Sequence, residues 1–462
     1  GGIGADVDLF ILEGQVGQNG IALFHQYTHV QPSSSVHGSR LELAEVIGCH
    51  AHTEHRSELA LTRSAPFLKV PAFTKAWCDS PGGRPLPYQP RVRMHKAPPH
   101  ITARLQACRT RIQQKGLDGY LVTRRTDQYY LTGFDGEDGA VLLLPRQVIL
   151  VTDGRFKEAA ARTTPWAKAI IREDTIAKTV APLLKRHRLE RIGFDPDHLT
   201  VRQHAGLRKA IRPARLVSLP GVTEQLRLIK DETEVTALRE AIRIAESAFR
   251  TVIRQLRPGT TERQLAAALL FQMQREGAEG ASFPIIVAEG PNSSLPHAVP
   301  GDRPIKRGSA VLIDWGAAYR GYCSDLTRVV FIHRIPPRFR RMYEHVLAAQ
   351  SAAIRSIRPA VRMCDVYAAA VDRLKQAGMD RHFPHGLGHG IGLDIHEAPR
   401  ISRRPAGPFQ AGMVVTVEPG VYYPGFGGVR IEDDVLVTNS GCEILSHLER
   451  DLESMVVEAW ST

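Results

Sequence analysis

Residues 311–330 read VLIDWGAAYRGYCSDLTRVV. Val311, Leu312 and Ile313 lead in as a strand, Tyr319-Arg320-Gly321 carries turn chemistry, and Leu326 to Val330 lead out. The stretch reads as a β-hairpin. Closed symmetrically between Tyr319 and Arg320, it sets Asp314 directly opposite Asp325, on one face, with Cβ atoms about 5 Å apart. Two carboxylates so placed repel, and the pairing is unfavourable by itself. Divalent cations reverse the sign, and two of them about 3.5–4 Å apart can both polarise a carbonyl and activate water. Two solvated acids on an exposed hairpin are the bland alternative, and the apolar residues on either side argue against it.

Upstream of the hairpin, Asp231–Leu256 has the period of a long amphipathic helix. Asp231 is placed to N-cap it, Glu234 to close a capping box, and Pro258-Gly259 to stop it. A second helix, Glu262–Glu276, ends at Gly277. A strand over Ser282–Val287 and a loop with Asn292 and His297 lead into the hairpin. The same order follows downstream: a helix over Phe339–Ile357 stopped at Pro359, a helix over Asp365–Ala377 stopped at Gly378, a loop with His385 and His389, then strands over Met413–Glu418 and Gly428–Thr438. The joints also match, Arg257-Pro258 with Ala266-Ala267-Ala268 against Arg358-Pro359 with Ala368-Ala369-Ala370. A duplicated α-α-β-β unit predicts an α+β domain. Its two hairpins meet across a pseudo-two-fold axis, and a site at that seam can draw ligands from both copies.

The second copy offers suitable ligands. Glu418 ends the apolar strand VVTVE, and an unpaired carboxylate at the mouth of a buried strand is costly. In Val429-Arg430-Ile431-Glu432 the alternation puts Arg430 and Glu432 on one face; a plain surface ion pair is the competing reading. His385-Gly-Leu-Gly-His389-Gly-Ile-Gly392 places two imidazoles on a glycine-rich loop where backbone can approach closely. A phosphate-binding loop fits poorly, because no strand runs into the glycines in a βαβ context. His396 follows in Asp394-Ile-His-Glu397.

On the N-terminal side, Ile101, Leu105, Cys108 and Ile112 recur at helical spacing before Gly116. Strands at Gly119–Thr123, Ala140–Leu144, Gln147–Thr152 and Arg191–Asp195 alternate with helices at Phe156–Arg162 and Leu183–Leu189. This is an α/β domain, and it shows no cluster of acids and histidines that reads as a catalytic site; a scaffold or substrate-gating role is expected for it. Residues 1–95 have weak periodicity and a linker-like run, Pro81–Pro90, and read as a poorly ordered or atypical extension. Cys49, His50, His52 and His55 match no standard zinc spacing, and the functional chain is expected to begin near Met94.

The chain has 462 residues and a net charge of +12. No apolar run reaches the roughly 18 residues of a membrane helix. The arginines are dispersed without aromatic interleaving, so neither a membrane nor a nucleic-acid partner is expected. Six cysteines without paired spacing suit the reduced thiols of a cytoplasmic protein.

Together these residues resemble the pita-bread metallopeptidases of the Xaa-Pro aminopeptidase and prolidase group. The eleven-residue interval from Asp314 to Asp325, the stretches HGLGHGIGLDIHEAP, VVTVEPGVY and GVRIEDDVLVT, and SFPIIVAEGPNSSLPHAVP around His297 carry the resemblance over about residues 230–455. YLTGFDGEDG and VTDGRF extend it to a creatinase-like N-terminal α/β domain at about residues 98–225. The resemblance implies five ligands, Asp314, Asp325, His389, Glu418 and Glu432, for two divalent ions. Their mostly hard donors favour Mn²⁺ over Co²⁺, Zn²⁺ or Fe²⁺. It implies hydrolysis of the bond before a proline at the second position of a peptide, by a homodimer. Glu418 would shuttle the proton, His297 and His396 would bind the substrate carbonyl, His385 would line the proline side, and Arg430 would orient the ligands or meet a substrate carboxylate. A methionine aminopeptidase-like enzyme and a non-catalytic binding module are the alternatives. Methionine aminopeptidases usually lack the upstream domain, and the modules generally lack the ligand set. Creatinase shares the architecture without the ligands.

Overall fold

The computed structural model describes residues 95–257 and 259–458. The expectations for the N-terminal extension and its Cys49–His55 cluster lie outside the described residues.

The helix Pro99–Gln114 buries Ile101, Leu105, Cys108 and Ile112, the stripe legible in the sequence. It covers one face of a six-stranded sheet with the order Lys168–Ile171, Val148–Thr152, Ala140–Leu143, Gly119–Val122, Arg191–Phe194, Arg215–Ser218. Successive strand residues face opposite ways. Tyr120, Val141 and Leu150 pack under that helix, while Leu121, Leu142 and Ile149 pack with Val180, Leu183 and Leu207 from the helices Ile176–Arg186 and Val201–Ala210. The sequence placed the former of these helices at Leu183–Leu189. It begins seven residues earlier, N-capped by Thr175, and carries Pro182 inside it. The helix Arg125–Thr132, closed by Gly133 at φ 75°, was not anticipated.

In the rest of the chain the duplicated order is observed. Helices Glu232–Arg254 and Glu262–Arg275 precede the antiparallel strands Ile286–Glu289, Ala310–Trp315 and Leu326–Ile332. Helices Pro337–Ser356 and Met363–Gln376 precede Gly388–Gly390, Val414–Val417 and Asp433–Val437, paired in the same succession. The Asp231 and Glu234 capping box forms as expected. Two strands are shorter than the sequence suggested. Only Ile286 and Val287 of Ser282–Val287 belong to a strand, because Pro284 lacks the donor a ladder needs. The expected strand Gly428–Thr438 is split into Gly427–Arg430 and Asp433–Val437.

The helices pack against the strands through large buried side chains. Trp315 is fully buried, stacks on Phe249 with ring centroids 4.5 Å apart, and donates its Nε1–H to the Ala245 carbonyl at 2.9 Å. Truncating such a residue costs about 3–5 kcal/mol. The two halves join at the split: Glu432 forms an isolated antiparallel bridge with Thr327. Beside it Arg328, fully buried, reaches the Asp433 carboxylate at 2.8 Å and the Glu432 carbonyl at 2.6 Å.

Candidate metal centre

The hairpin that opens the site closes one position later than the sequence suggested. Arg320 and Gly321 both have positive φ, 50° and 74°, as the two central residues of a type I′ turn require. A turn centred between Tyr319 and Arg320 would instead have forced Tyr319 into that region. Asp314 therefore faces Thr327, not Asp325. The two-position shift keeps Asp325 and Thr327 on the same side of the strand, so both carboxylates still point toward one space. Pairing is interrupted at Gly316, where an added Cβ would lie 1.8 Å from the Ser324 carbonyl oxygen.

Glycines do similar work on the histidine loop. A Cβ at Gly388 would meet the Thr416 carbonyl at 2.0 Å and one at Gly390 the Ala398 carbonyl at 2.1 Å. His389, between them, is thus pressed into the second sheet. Its Nδ1 lies 3.0 Å from the Gly390 carbonyl, which can only accept, so Nδ1 carries the proton and Nε2 presents a lone pair. That Nε2 is 3.6 Å from Asp325 Oδ2 and 3.8 Å from Glu418 Oε1. One ligand atom each from Asp325, His389 and Glu432 lie within 4.8 Å of one another.

All nine residues singled out in the sequence line one cavity of about 590 Å³: the five expected ligands with His297, His385, His396 and Arg430. The His396 ring sits edge-on to His389, with centroids 4.4 Å apart. His385 Nε2 is 3.0 Å from the Tyr422 hydroxyl. The guanidinium of Arg430 is buried and fully engaged: it meets Asp314 Oδ2, Thr327 Oγ1 at 3.1 Å, Tyr422 Oη at 2.6 Å and the Pro296 carbonyl at 3.4 Å. Of the two roles considered for it, orienting the acids fits these bonds.

Several contributors were not foreseen. Thr327 donates to Glu432 Oε2 at 2.6 Å while accepting from Arg430, and its position two residues after Asp325 was the signal available. Asp434 accepts the Asp325 backbone N–H at 3.1 Å. Arg400 lines the cavity with an exposed side chain. Glu262, fully buried, ties down the loop that carries His297. Its Oε1 accepts from Glu289 N at 2.7 Å and Asn292 Nδ2 at 2.9 Å, and its Oε2 from Gly301 N at 3.0 Å.

The electrostatics fit a cation site. Four carboxylates share the cavity with two guanidinium groups, the buried Arg430 and the exposed Arg400. Burial, then the neighbouring acids led by Glu432, push the Asp325 carboxyl well above the usual range. Burial and then Glu418 and Asp314 do the same to Glu432. Burial raises Asp314 against the pull of Arg430, and lifts Glu418 to about 7. Burial lowers both His385 and His389 to about 4, which favours the neutral imidazole a metal requires. Asp314 Oδ1 is buried without a hydrogen-bond partner among the described residues. An orphaned carboxylate oxygen, converging acids and a free imidazole lone pair are together what divalent ions would satisfy.

Among the described residues the N-terminal domain also brings together Asp127, His198 and Glu224, although the sequence singled out no catalytic cluster there. Arginines already occupy it: Arg227 Nη1 reaches Asp127 at 2.9 Å and Arg124 Nη1 reaches Glu224 at 3.2 Å.

Comparison with known proteins agrees with this geometry. Residues 236–439 match the model of metallopeptidase family M24, and residues 104–229 that of the creatinase/prolidase N-terminal domain. An uncharacterized peptidase of Bacillus subtilis is 36% identical over 349 residues, covering 76% of this chain and 99% of its own. The solved structure of an Xaa-Pro dipeptidase from Bacillus anthracis superposes with a TM-score of 0.74 at 36% identity, over 76% of this chain and 99% of that one. An X-Pro aminopeptidase from Thermotoga maritima gives 0.71 at 33% identity, over 74% and 99%.

Proposed function

The chain belongs to metallopeptidase family M24, with the pita-bread fold behind a creatinase-like domain, and on that premise we propose that it hydrolyses the peptide bond preceding proline at the N-terminus of peptides. The observation that carries the reading is the convergence of Asp314, Asp325, His389, Glu418 and Glu432 on one cavity. These five residues would hold two divalent ions, with Mn²⁺ expected from the mostly carboxylate donors. Such ions supply Lewis acidity to the scissile carbonyl and lower the pKa of water.

The chain's own side chains do the rest. Arg430 and Thr327 hold Asp314 and Glu432 in place. Glu418, at the cavity wall, takes a proton from the attacking water and passes it to the departing proline nitrogen. His297 and His396, both exposed to the cavity, hydrogen-bond the carbonyl oxygen as it gains negative charge. His385 and the prolines beside it form an apolar rim for the proline ring.

Between a dipeptide and a longer substrate, Arg400 favours the dipeptide. It is an exposed cation in the cavity wall and makes no side-chain ion pair among the described residues, so it suits a free carboxylate directly after proline. The match to the creatinase/prolidase N-terminal domain weighs against the methionine aminopeptidase alternative, and the filled ligand positions against a non-catalytic module. A homodimer in the cytoplasm is the accompanying expectation.

The test is hydrolysis of Xaa-Pro against Xaa-Pro-Xaa peptides by metal-stripped protein resupplied with Mn²⁺, Co²⁺ or Zn²⁺. Cleavage of neither peptide with any ion would sink the proposal. Preference for the longer peptide would keep the peptidase and remove the role given to Arg400.

A further inference from the structure

The turn that carries His396 is gripped from the N-terminal side of the molecule. Asp394 and Glu397 flank the histidine and bond to each other, Asp394 N–H to Glu397 Oε1 at 3.0 Å. Asp394 Oδ2 accepts from Arg124 Nη2 at 2.6 Å and from Arg227, and Oδ1 from Thr126 Oγ1 at 3.1 Å. Glu397 accepts from Arg227 through Oε1 and lies 3.4 Å from Lys230 Nζ through Oε2. Arg227 is 3% exposed and its other terminal nitrogen, Nη1, is bound to Asp127. Gly392 leaves room for this arrangement, since a Cβ there would lie 2.7 Å from the Glu397 carboxylate. The His396 ring makes no hydrogen bond among the described residues. Its place beside His389 is therefore set by the backbone on either side of it, and that backbone is fixed by charges from the other domain.

We infer that Arg124 and Arg227 are positioning residues for the peptidase reaction: through Asp394 and Glu397 they aim His396 at the substrate carbonyl. The inference rests on the carbonyl-binding role proposed for His396. It gives the N-terminal domain a part in turnover without any contact with substrate. The competing view is that these ion pairs only hold two domains together. The two views differ in what a substitution does when His396 is already gone.

Arg227→Met would leave the buried Asp127 carboxylate without its ion partner and risks the fold, so Arg124→Met, at a partly exposed side chain, and Arg227→Lys carry the test. We expect each to lower kcat on an Xaa-Pro dipeptide about tenfold, the order of loss a small misplacement produces. KM and the metal bound per chain should stay near wild type. In a His396→Ala background the same substitutions should lower kcat little further, because coupled residues are not additive. Unchanged kcat in Arg124→Met, an equal tenfold loss without His396, or loss of metal would each overturn the inference. The NMR signals of the His396 ring supply a readout independent of turnover: they should move in Arg124→Met, and unmoved signals would overturn the inference too. A wild-type protein that cleaves neither Xaa-Pro nor Xaa-Pro-Xaa peptides would overturn the peptidase reading instead, leaving the ring signals to decide the positioning.

Discussion

Replacing Asp325 by asparagine should stabilise the metal-free protein while abolishing its activity. A carboxylate oxygen of Asp325 lies within 4.8 Å of one from Glu432. At that separation and an effective dielectric constant of about 20, two ionised carboxylates repel by about 3.5 kcal/mol. Burial and the surrounding acids hold the Asp325 carboxyl above its usual range. Such a group binds its proton more tightly folded than unfolded. The folded state is therefore penalised as pH rises above the unfolded value near 4, up to the raised value in the folded state. Asparagine has the same shape and no proton to lose. Its advantage should be near zero at pH 4 and grow to about 1–3 kcal/mol at neutral pH, once relaxation and the Arg430 charge take their share. Urea unfolding of chelator-treated wild type and Asp325→Asn across that pH range measures it. Adding Mn²⁺ should then raise the wild-type midpoint and leave the variant's nearly unchanged, because only the former binds. A variant that is less stable than wild type without metal, or a difference that ignores pH, would refute the electrostatic account of the site.

Glu262→Gln puts an amide N–H against a backbone donor in the clamp under the His297 loop, and should lower kcat about tenfold with metal retained, as turnover and metal analysis would show. Arg328→Met removes a buried guanidinium that bonds Asp433 and the Thr327, Glu432, Leu448 and Glu449 carbonyls, and should cost about 3–5 kcal/mol in urea unfolding. Burial opposes ionisation of Glu397, yet Lys230 and Arg227 hold its pKa below the usual range. Its contribution is thus complete above pH of about 4.5 and lost as pH falls through the lowered value, so limited proteolysis between the domains should set in only under acid conditions.

What was legible in the sequence was local. The capping box at Asp231 and Glu234, the helix stripes and the glycine spacing around His389 each depend on neighbours a few positions away. That the acids would gather was legible too: the resemblance implied the five residues, acids ending apolar strands demand partners, and all five line one cavity. The hairpin register was not, since it turned on which of two adjacent pairs accepts positive φ, and Arg320-Gly321 does so more readily than Tyr319-Arg320. The strand break before Glu432 and the grip of Arg227 on Asp394, 167 positions away, arise only when separate elements meet. Arginine at 328 looks like any surface residue of a strand until the second half of the chain closes over it.

Asp314 and Asp325 come from one half of the duplicated domain, and His389, Glu418 and Glu432 from the other. Ions held by that set would fasten the halves to each other as a disulfide fastens two loops, and a chelator would act on this protein as a reductant acts there. The Thr327–Glu432 bridge, Arg328 and the bonds of Arg430 and Asp434 to the first half would then carry more of the join. Depletion of metal would thus be felt as a mechanical loosening as well as a chemical loss, opening the connection at 333–336 to cleavage before either half unravels.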